Sequence, residues 1–228
     1  MAPPGRISIL VKVAPSLLAS DFSRLGAEIR SAEEAGADYL HADVMDGHFV
    51  DNITIGPAIV EAMKRSATRP VDVHLMIEEP ARYLARFLEA GADVLSFHIE
   101  VVGEPAGLVE RIRKKGSVAG LAVSPETPAK LLAGHLDGVG RILVMTVPPG
   151  FGGQEFRADV VAKITEIRDM VGPDVEVAVD GGIDPVTAPV VVRAGADVLV
   201  AGTSIFRRDN YAEAVAALRK AAAAGAKA

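Results

Sequence analysis

The chain has 228 residues, half of them hydrophobic, no cysteine and a formal charge of -6, with an isoelectric point near 5.4. That length is enough for a sizeable core in one barrel or two small domains. The acidic balance argues against a general nucleic-acid or acidic-membrane binder, and the missing cysteines exclude a disulfide framework, a thiolate metal site and a cysteine nucleophile.

Short apolar runs predict eight strands, at residues 13–17, 39–44, 71–76, 94–98, 118–123, 142–146, 175–180 and 198–202. Helical patterns fall between them. Pro57, Pro80, Pro105, Pro128 and Pro185 each precede a stretch with apolar residues three and four apart, as expected for proline at a helix start. Tyr83, Leu84, Phe87 and Leu88 form one stripe, and Val160, Ile164, Ile167 and Val171 another. Thr127 and Asp184 are placed as N-caps, and residues 210–228 form the last helix, with an Ala-rich end expected to fray. The amino-terminal residues lack the apolar run and cleavage site of a leader peptide, and no apolar stretch reaches the roughly 18 residues of a membrane span. A soluble, cytoplasmic protein that binds neither membrane nor nucleic acid is expected.

A repeat sets the architecture. Gly-Ala-Asp followed by an apolar run begins at Gly36, Gly91 and Gly195, and a degenerate copy begins at Gly138. The first two lie 55 residues apart and the third 104 further on, with Gly138 near the middle of the long gap. A period near fifty seen four times indicates four two-unit repeats, hence eight βα units. Each glycine would end a helix in the left-handed conformation. The expectation is one domain over residues 1–228, a (β/α)8 TIM barrel with eight parallel strands and outer helices; an open doubly wound sheet is the alternative.

Side chains alternate faces along a strand. Parity puts His41, Asp43 and Met45 on one face, Asp72, His74 and Met76 on one face, and Asp180 opposite the valines of its strand. If the aliphatic faces pack on the helices, these residues point into the barrel. His41, Asp43, His74 and Asp180 then sit at the carboxyl ends of their strands, where barrel enzymes carry their active sites. Lone interior carboxylates and imidazoles are costly unless paired or metal-bound. Two histidines with two aspartates suit a divalent ion such as Zn²⁺, Mn²⁺ or Fe²⁺; a structural polar network is the competing account. His98 and Glu100 are read as supporting or rim residues rather than direct ligands, Asp72 and Glu176 as structural, and His48 and His135 as solvated.

Glycine-rich segments follow the last three strands: Pro149-Gly-Phe-Gly-Gly-Gln154, Gly181-Gly182 and Gly202-Thr-Ser204. Glycine lets backbone N–H groups come close to a ligand, and this rim is the usual phosphate position of the fold. No lysine is expected at the carboxyl end of any strand, with Lys12 placed before the first. A Schiff-base aldolase is therefore disfavoured, as is a decarboxylase built on an Asp-x-Lys-x-x-Asp motif, which is missing. Carboxylates, imidazoles and a metal are tools for proton transfer beside a carbonyl.

Ala14-Pro-Ser16-Leu-Leu-Ala-Ser-Asp-Phe, His41-Ala-Asp-Val-Met-Asp-Gly-His-Phe, Asn52-Ile-Thr-Ile-Gly56, Asp72-Val-His-Leu-Met76, Val144-Met-Thr-Val, Pro149-Gly-Phe-Gly-Gly-Gln154 and Val179-Asp-Gly-Gly-Ile183 together resemble the ribulose-phosphate 3-epimerase family. The resemblance runs from about Val13 to Phe206. It implies a metal-dependent 1,1-proton transfer at C3 between ribulose 5-phosphate and xylulose 5-phosphate, through a metal-stabilised enediolate. The family's ligands fall on His41, Asp43, His74 and Asp180, around one divalent ion, Zn²⁺ as first choice. Asp43 and Asp180 become the acid–base pair. Ser16 and His74 would contact the substrate or the acid–base groups, Met45, Met76 and Met145 line the site, and Gly150, Gly152, Gly153, Gln154, Gly181, Gly182, Gly202, Thr203 and Ser204 form the phosphate rim. A homo-oligomer is also implied, of unspecified number. A close relative acting on a phosphorylated hexulose such as allulose 6-phosphate would share these features, and a non-catalytic sugar-phosphate-binding barrel is the alternative of another class. Three departures from the family pattern, Asp51, Pro148 and the stretch 101–108, touch none of the matched ligands.

Overall fold

The computed structural model describes residues 11–226, so most of the segment read for a leader and the last two residues lie outside the described part. Eight strands are present: β1 (Lys12–Pro15), β2 (Leu40–Met45), β3 (Val71–Met76), β4 (Val94–His98), β5 (Val118–Val123), β6 (Arg141–Met145), β7 (Glu176–Asp180) and β8 (Val198–Ala201). From β2 to β8 each pairs in parallel with its successor, and β8 pairs with β1. A parallel bridge between Ser16 and His41 joins β1 to β2 and completes the ring. The open-sheet alternative is therefore excluded. Lys12 is the first residue of β1 rather than a residue before it; it still lies at the amino end, away from the carboxyl rim.

Three of the four repeat glycines behave as read, while Gly138, also left-handed at φ 72°, lies in a turn and ends no helix. Gly36, Gly91 and Gly195 have φ of 98°, 98° and 117°, and each follows the capping alanine of a helix: α1 (Leu25–Glu34), α3 (Pro80–Glu89) and α6 (Ala188–Arg193). Only glycine enters that region without a steric cost. Pro57 and Pro80 open α2 (Pro57–Ser66) and α3, and Pro105 caps α4 (Ala106–Lys114). The remaining helices are α5 (Val161–Met170), α7 (Thr203–Phe206) and α8 (Tyr211–Ala226).

Three expectations need correction. The segment after β5 holds no α-helix but a 3-10 turn at Ala129–Leu132, because Pro125, Pro128 and the left-handed Gly134 crowd too few residues between breakers. Its cap position is Pro128, and Thr127 turns its hydroxyl to Glu100 instead. The helix expected from Pro185 starts later, at Ala188 after Thr187. Asp184 caps the turn ahead of it, accepting the Val186 and Thr187 N–H groups at 2.7 and 2.9 Å.

The core has two concentric layers. Outward residues of the strands, such as Val71, Val73 and Leu75, pack against helix stripes that include Leu84, Phe87, Ile164 and Ile167. Burial of each such side chain is worth ~1.5–3 kcal/mol. Inside the ring lie Ala14, Ala122, Leu143, Met145, Ala178, Val198 and Val200. The small residues leave room for long side chains at both ends of the barrel. At the amino end, Arg141 is fully buried, 2.6 Å from Asp72 and 2.5 Å from Glu176, with its guanidinium 4.3 Å from the Tyr39 ring centre. Lys12 and Tyr39 also bond Glu176. Asp72 and Glu176 therefore have the structural surroundings expected of them.

Candidate active site

Register alone assembles most of the site. Pairing of β2 with β3 sets His41 beside Asp72, Asp43 beside His74 and Met45 beside Met76. Pairing of β6 with β7 sets Met145 beside Asp180. His41, Asp43, His74 and Asp180 each direct one ligand-type atom to a common point, all within 4.8 Å of one another. His41 Nε2 and His74 Nδ1 each lie 3.2 Å from Asp43 Oδ1 and 4.0 Å from Asp180 Oδ2. Ser16 donates its hydroxyl to the other Asp43 oxygen at 2.6 Å.

The outer nitrogens of both rings are also held. His41 Nδ1 is 2.9 Å from Asp72 Oδ2. His74 Nε2 is 2.9 Å from His98 Nε2, whose Nδ1 is 2.9 Å from Glu100 Oε2. Partners of this kind orient metal-binding histidines. His98 and Glu100 thus stand behind a ligand-type residue, as expected, and not among the four.

The electrostatics fit a cation. Burial opposes charge on His41, yet the adjacent Asp43 and Asp72 carboxylates push its pKa well above the ordinary imidazole value. Burial likewise opposes charge on Asp43, but His41 and His74 hold it well below the usual carboxylate range. His74 is pushed down to about 4, mainly by burial with its His98 neighbour adding. Asp180 is pushed up to about 7 by burial and then by the Asp43 charge. Two carboxylates crowded this closely resist both being ionised. A divalent ion among the four relieves that repulsion, and the donor set of two imidazoles and two carboxylates suits one. The residues present fit the group.

Above the cluster a cleft of about 750 Å³ opens. Ser16, Met45, Met76, Met145, Gly150, Gly152, Gly153, Gln154, Gly181, Gly182, Gly202, Thr203 and Ser204 all line it, as do Asp43 and Asp180. His74 does not; it lies fully buried beneath the floor. Gly182 is one place where glycine is obligatory: φ is 63°, and a Cβ there would stand 2.7 Å from the Phe156 backbone nitrogen. Gln154 reaches back to its own loop, donating to the Pro148 and Phe151 carbonyls at 2.7 and 2.9 Å. Asn52 donates to the Gly150 carbonyl at 2.8 Å and ties the loop after β2 to the same rim. Asp51 and Pro148 are exposed, and His48 is exposed with His135 half-exposed.

Sequence reasoning missed two supports. Arg141 holds Asp72, which holds His41; parity with Leu143 and Met145 was the signal that turned it inward. Thr54 donates its hydroxyl to the Asp43 carbonyl at 2.6 Å and accepts the Met45 N–H at 3.0 Å, steadying the end of β2. Thr54 lies within the Asn52-Ile-Thr-Ile-Gly56 motif, but its bond to the Asp43 carbonyl spans eleven residues and has no periodic signal.

A closed parallel barrel with a buried His–Asp cluster at its strand ends and a glycine-rich cleft above defines a TIM-barrel enzyme with a candidate divalent-metal centre. The Ribulose-phosphate 3 epimerase family model matches residues 12–206. The ribulose-phosphate 3-epimerase of Bacillus subtilis is 46% identical over 214 residues, covering 92% of this chain and 99% of its own. That of Synechocystis is 47% identical over 214 residues, covering 92% of this chain and 93% of its own. The chain belongs to the ribulose-phosphate 3-epimerase family and is an isomerase. An orotidine 5'-phosphate decarboxylase from Pyrococcus horikoshii superposes with a TM-score of 0.67 over 92% of this chain and 98% of that one, at 16% identity, a likeness of fold alone. Among the described residues no helix is long and apolar enough to cross a membrane.

Proposed function

We propose that this enzyme interconverts D-ribulose 5-phosphate and D-xylulose 5-phosphate by moving a proton at C3, with Asp43 and Asp180 as the acid–base pair. The observation that carries this reading is the placement of both carboxylates in one cleft, at the His–Asp cluster on the carboxyl rim. Both carboxylates line the cleft, and without an ion the two imidazoles hold Asp43 well below the usual carboxylate range while burial and the Asp43 charge push Asp180 up to about 7.

The C3 hydrogen beside a ketone is a weak acid. His41, Asp43, His74 and Asp180 would hold a divalent ion, Zn²⁺ as first choice, which would supply Lewis acidity worth several kcal/mol toward the proton transfer. The protein's own groups do the rest. One carboxylate removes the C3 proton, and the other returns a proton to the far face, inverting that centre. Ser16, bonded to Asp43 Oδ2, fixes the rotation of that carboxylate so that Oδ1 faces the histidines. Met45, Met76 and Met145 put apolar surface against the sugar and keep water from the planar intermediate. The phosphate rests on backbone N–H groups around Gly152, Gly153, Gly182, Gly202 and Thr203.

Asp43→Asn and Asp180→Asn are each expected to lower kcat by at least about 100-fold, in line with loss of a general acid or base. Bound metal is quantified in parallel. Near-wild-type turnover in either variant overturns the two-base assignment.

A further inference from the structure

We propose that Arg207 and Arg208 form a cationic gate on the cleft, two guanidinium groups that draw in and help hold the phosphate dianion of the substrate. The proposal rests on the sugar-phosphate reading above and adds to it formal positive charge, which the glycine rim does not supply.

Three loops meet where the two arginines stand. Ser204 donates its hydroxyl to the Ile183 carbonyl at 2.7 Å, tying α7 to the loop after β7. A Cβ on Gly153 would stand 3.7 Å from Thr203 Cγ2, so the loop after β6 lies against the same segment. Arg207 and Arg208 follow directly as α7 ends, and both line the cleft. Their backbone is anchored. The Arg207 and Arg208 N–H groups donate to the Thr203 and Ile205 carbonyls at 3.3 and 3.1 Å. Buried Phe206 meets the Tyr211 ring edge-on at 5.2 Å, and the Tyr211 hydroxyl donates to Glu28 at 2.6 Å.

Charge gives the arginines their role. A phosphate monoester is largely a dianion near neutral pH, and this chain carries a formal charge of -6. Four acids line the cleft: Asp43 and Asp180 in the His–Asp cluster, and Glu155 and Asp184 outside it. Among the described residues Arg207 and Arg208 are the only cationic side chains that line it. Both are exposed, and neither side chain bonds or pairs with another described residue. Arg157, further along the loop after β6, is by contrast held by Asp159 and Glu126. An unpaired guanidinium keeps all its N–H donors for an oxyanion. Exposed charges of this kind act mainly on encounter and on the salt-sensitive part of affinity. Without them an arriving dianion would meet only acidic side chains.

The test uses the full chain with its divalent ion restored, and compares wild type with Arg207→Gln, Arg208→Gln and the double variant. At about 10 mM ionic strength, where the screening length is about 30 Å, the double variant should lose about 10-fold in kcat/KM for ribulose 5-phosphate, at the low end of electrostatic steering. At about 1 M, where screening acts within about 3 Å, it should come within about twofold of wild type. Arg207→Lys with Arg208→Lys keeps the charge and should keep most of the wild-type value and its salt dependence. A double Gln variant within about twofold of wild type at low salt, or a loss undiminished at high salt, overturns the proposal. Isothermal titration of inorganic phosphate into chelated protein gives a readout apart from turnover. Weaker phosphate binding in the double Gln variant supports the gate, even if the wild type turns over no ribulose 5-phosphate and the epimerase reading falls. Equal phosphate binding by the two proteins overturns the gate.

Discussion

Arg141→Met tests whether the amino end of the barrel supports the site above it. Arg141 and Asp72 are both buried, their closest atoms 2.6 Å apart. Among the described residues Asp72 Oδ1 has no hydrogen-bond partner, so the Asp72 charge depends on Arg141 and on His41. Removing one partner of a buried ion pair costs about 3–5 kcal/mol, because the other charge is left uncompensated. Glu176 also loses a partner but keeps Lys12 and Tyr39 and is partly exposed, so its share is small. For a protein of this size the midpoint should fall by about 2–4 °C per kcal/mol, hence about 6–20 °C in all. Equilibrium urea unfolding and thermal melts supply the assay. Adding Asp72→Asn to Arg141→Met removes the orphaned charge and should recover at least about 1 kcal/mol of the loss. A single variant within about 1 kcal/mol of wild type, or a double variant worse than the sum of the singles, refutes the reasoning.

The metal-free enzyme should show a characteristic pH dependence. Burial and the Asp43 charge raise the Asp180 pKa to about 7, so in the acid range the folded state holds a proton that the unfolded chain releases. Stability from this group is fully present below the ordinary carboxylate range and lost as pH rises through about 7. Urea midpoints of metal-free wild type, less those of Asp180→Asn, should therefore decline from about pH 4 to 7; a rise or a flat difference contradicts the shift. Divalent-ion affinity should increase over the approach to pH 7, since the ligand carboxylate must lose that proton, and isothermal titration at several pH values measures it. Chelation should abolish turnover and lower the melting temperature, and Zn²⁺ at 100 times its Kd should restore about 2.7 kcal/mol of stability.

What could be read in the amino acids follows the range of the interactions. β3, β4 and β5 begin and end where the apolar runs do, because glycines, prolines and acids bracket them locally. β6 begins one residue earlier than its apolar run, on Arg141, because a charged residue does not look like core until Asp72 and Glu176 are known to be beside it. The helix expected after Pro128 fails because breakers on both sides leave only a single turn. At the site, period-two alternation was enough to group His41, Asp43, His74 and Asp180. Their convergence depends on the strand register, in particular Asp43 opposite His74. Glycine placed the rim, but the inward turn of Gln154 onto Pro148 and Phe151 is a loop-internal hydrogen bond that composition does not encode. The contact between His74 and His98 depends on a distance across β3 and β4 and emerges only in three dimensions.

The most direct test of the central claim is proton NMR of ribulose 5-phosphate with the enzyme in D₂O, after chelation and again with Zn²⁺ added back. The account predicts xylulose 5-phosphate carrying deuterium at C3, formed only when the ion is present. Product that keeps its original C3 hydrogen, or full turnover without any divalent ion, would contradict it.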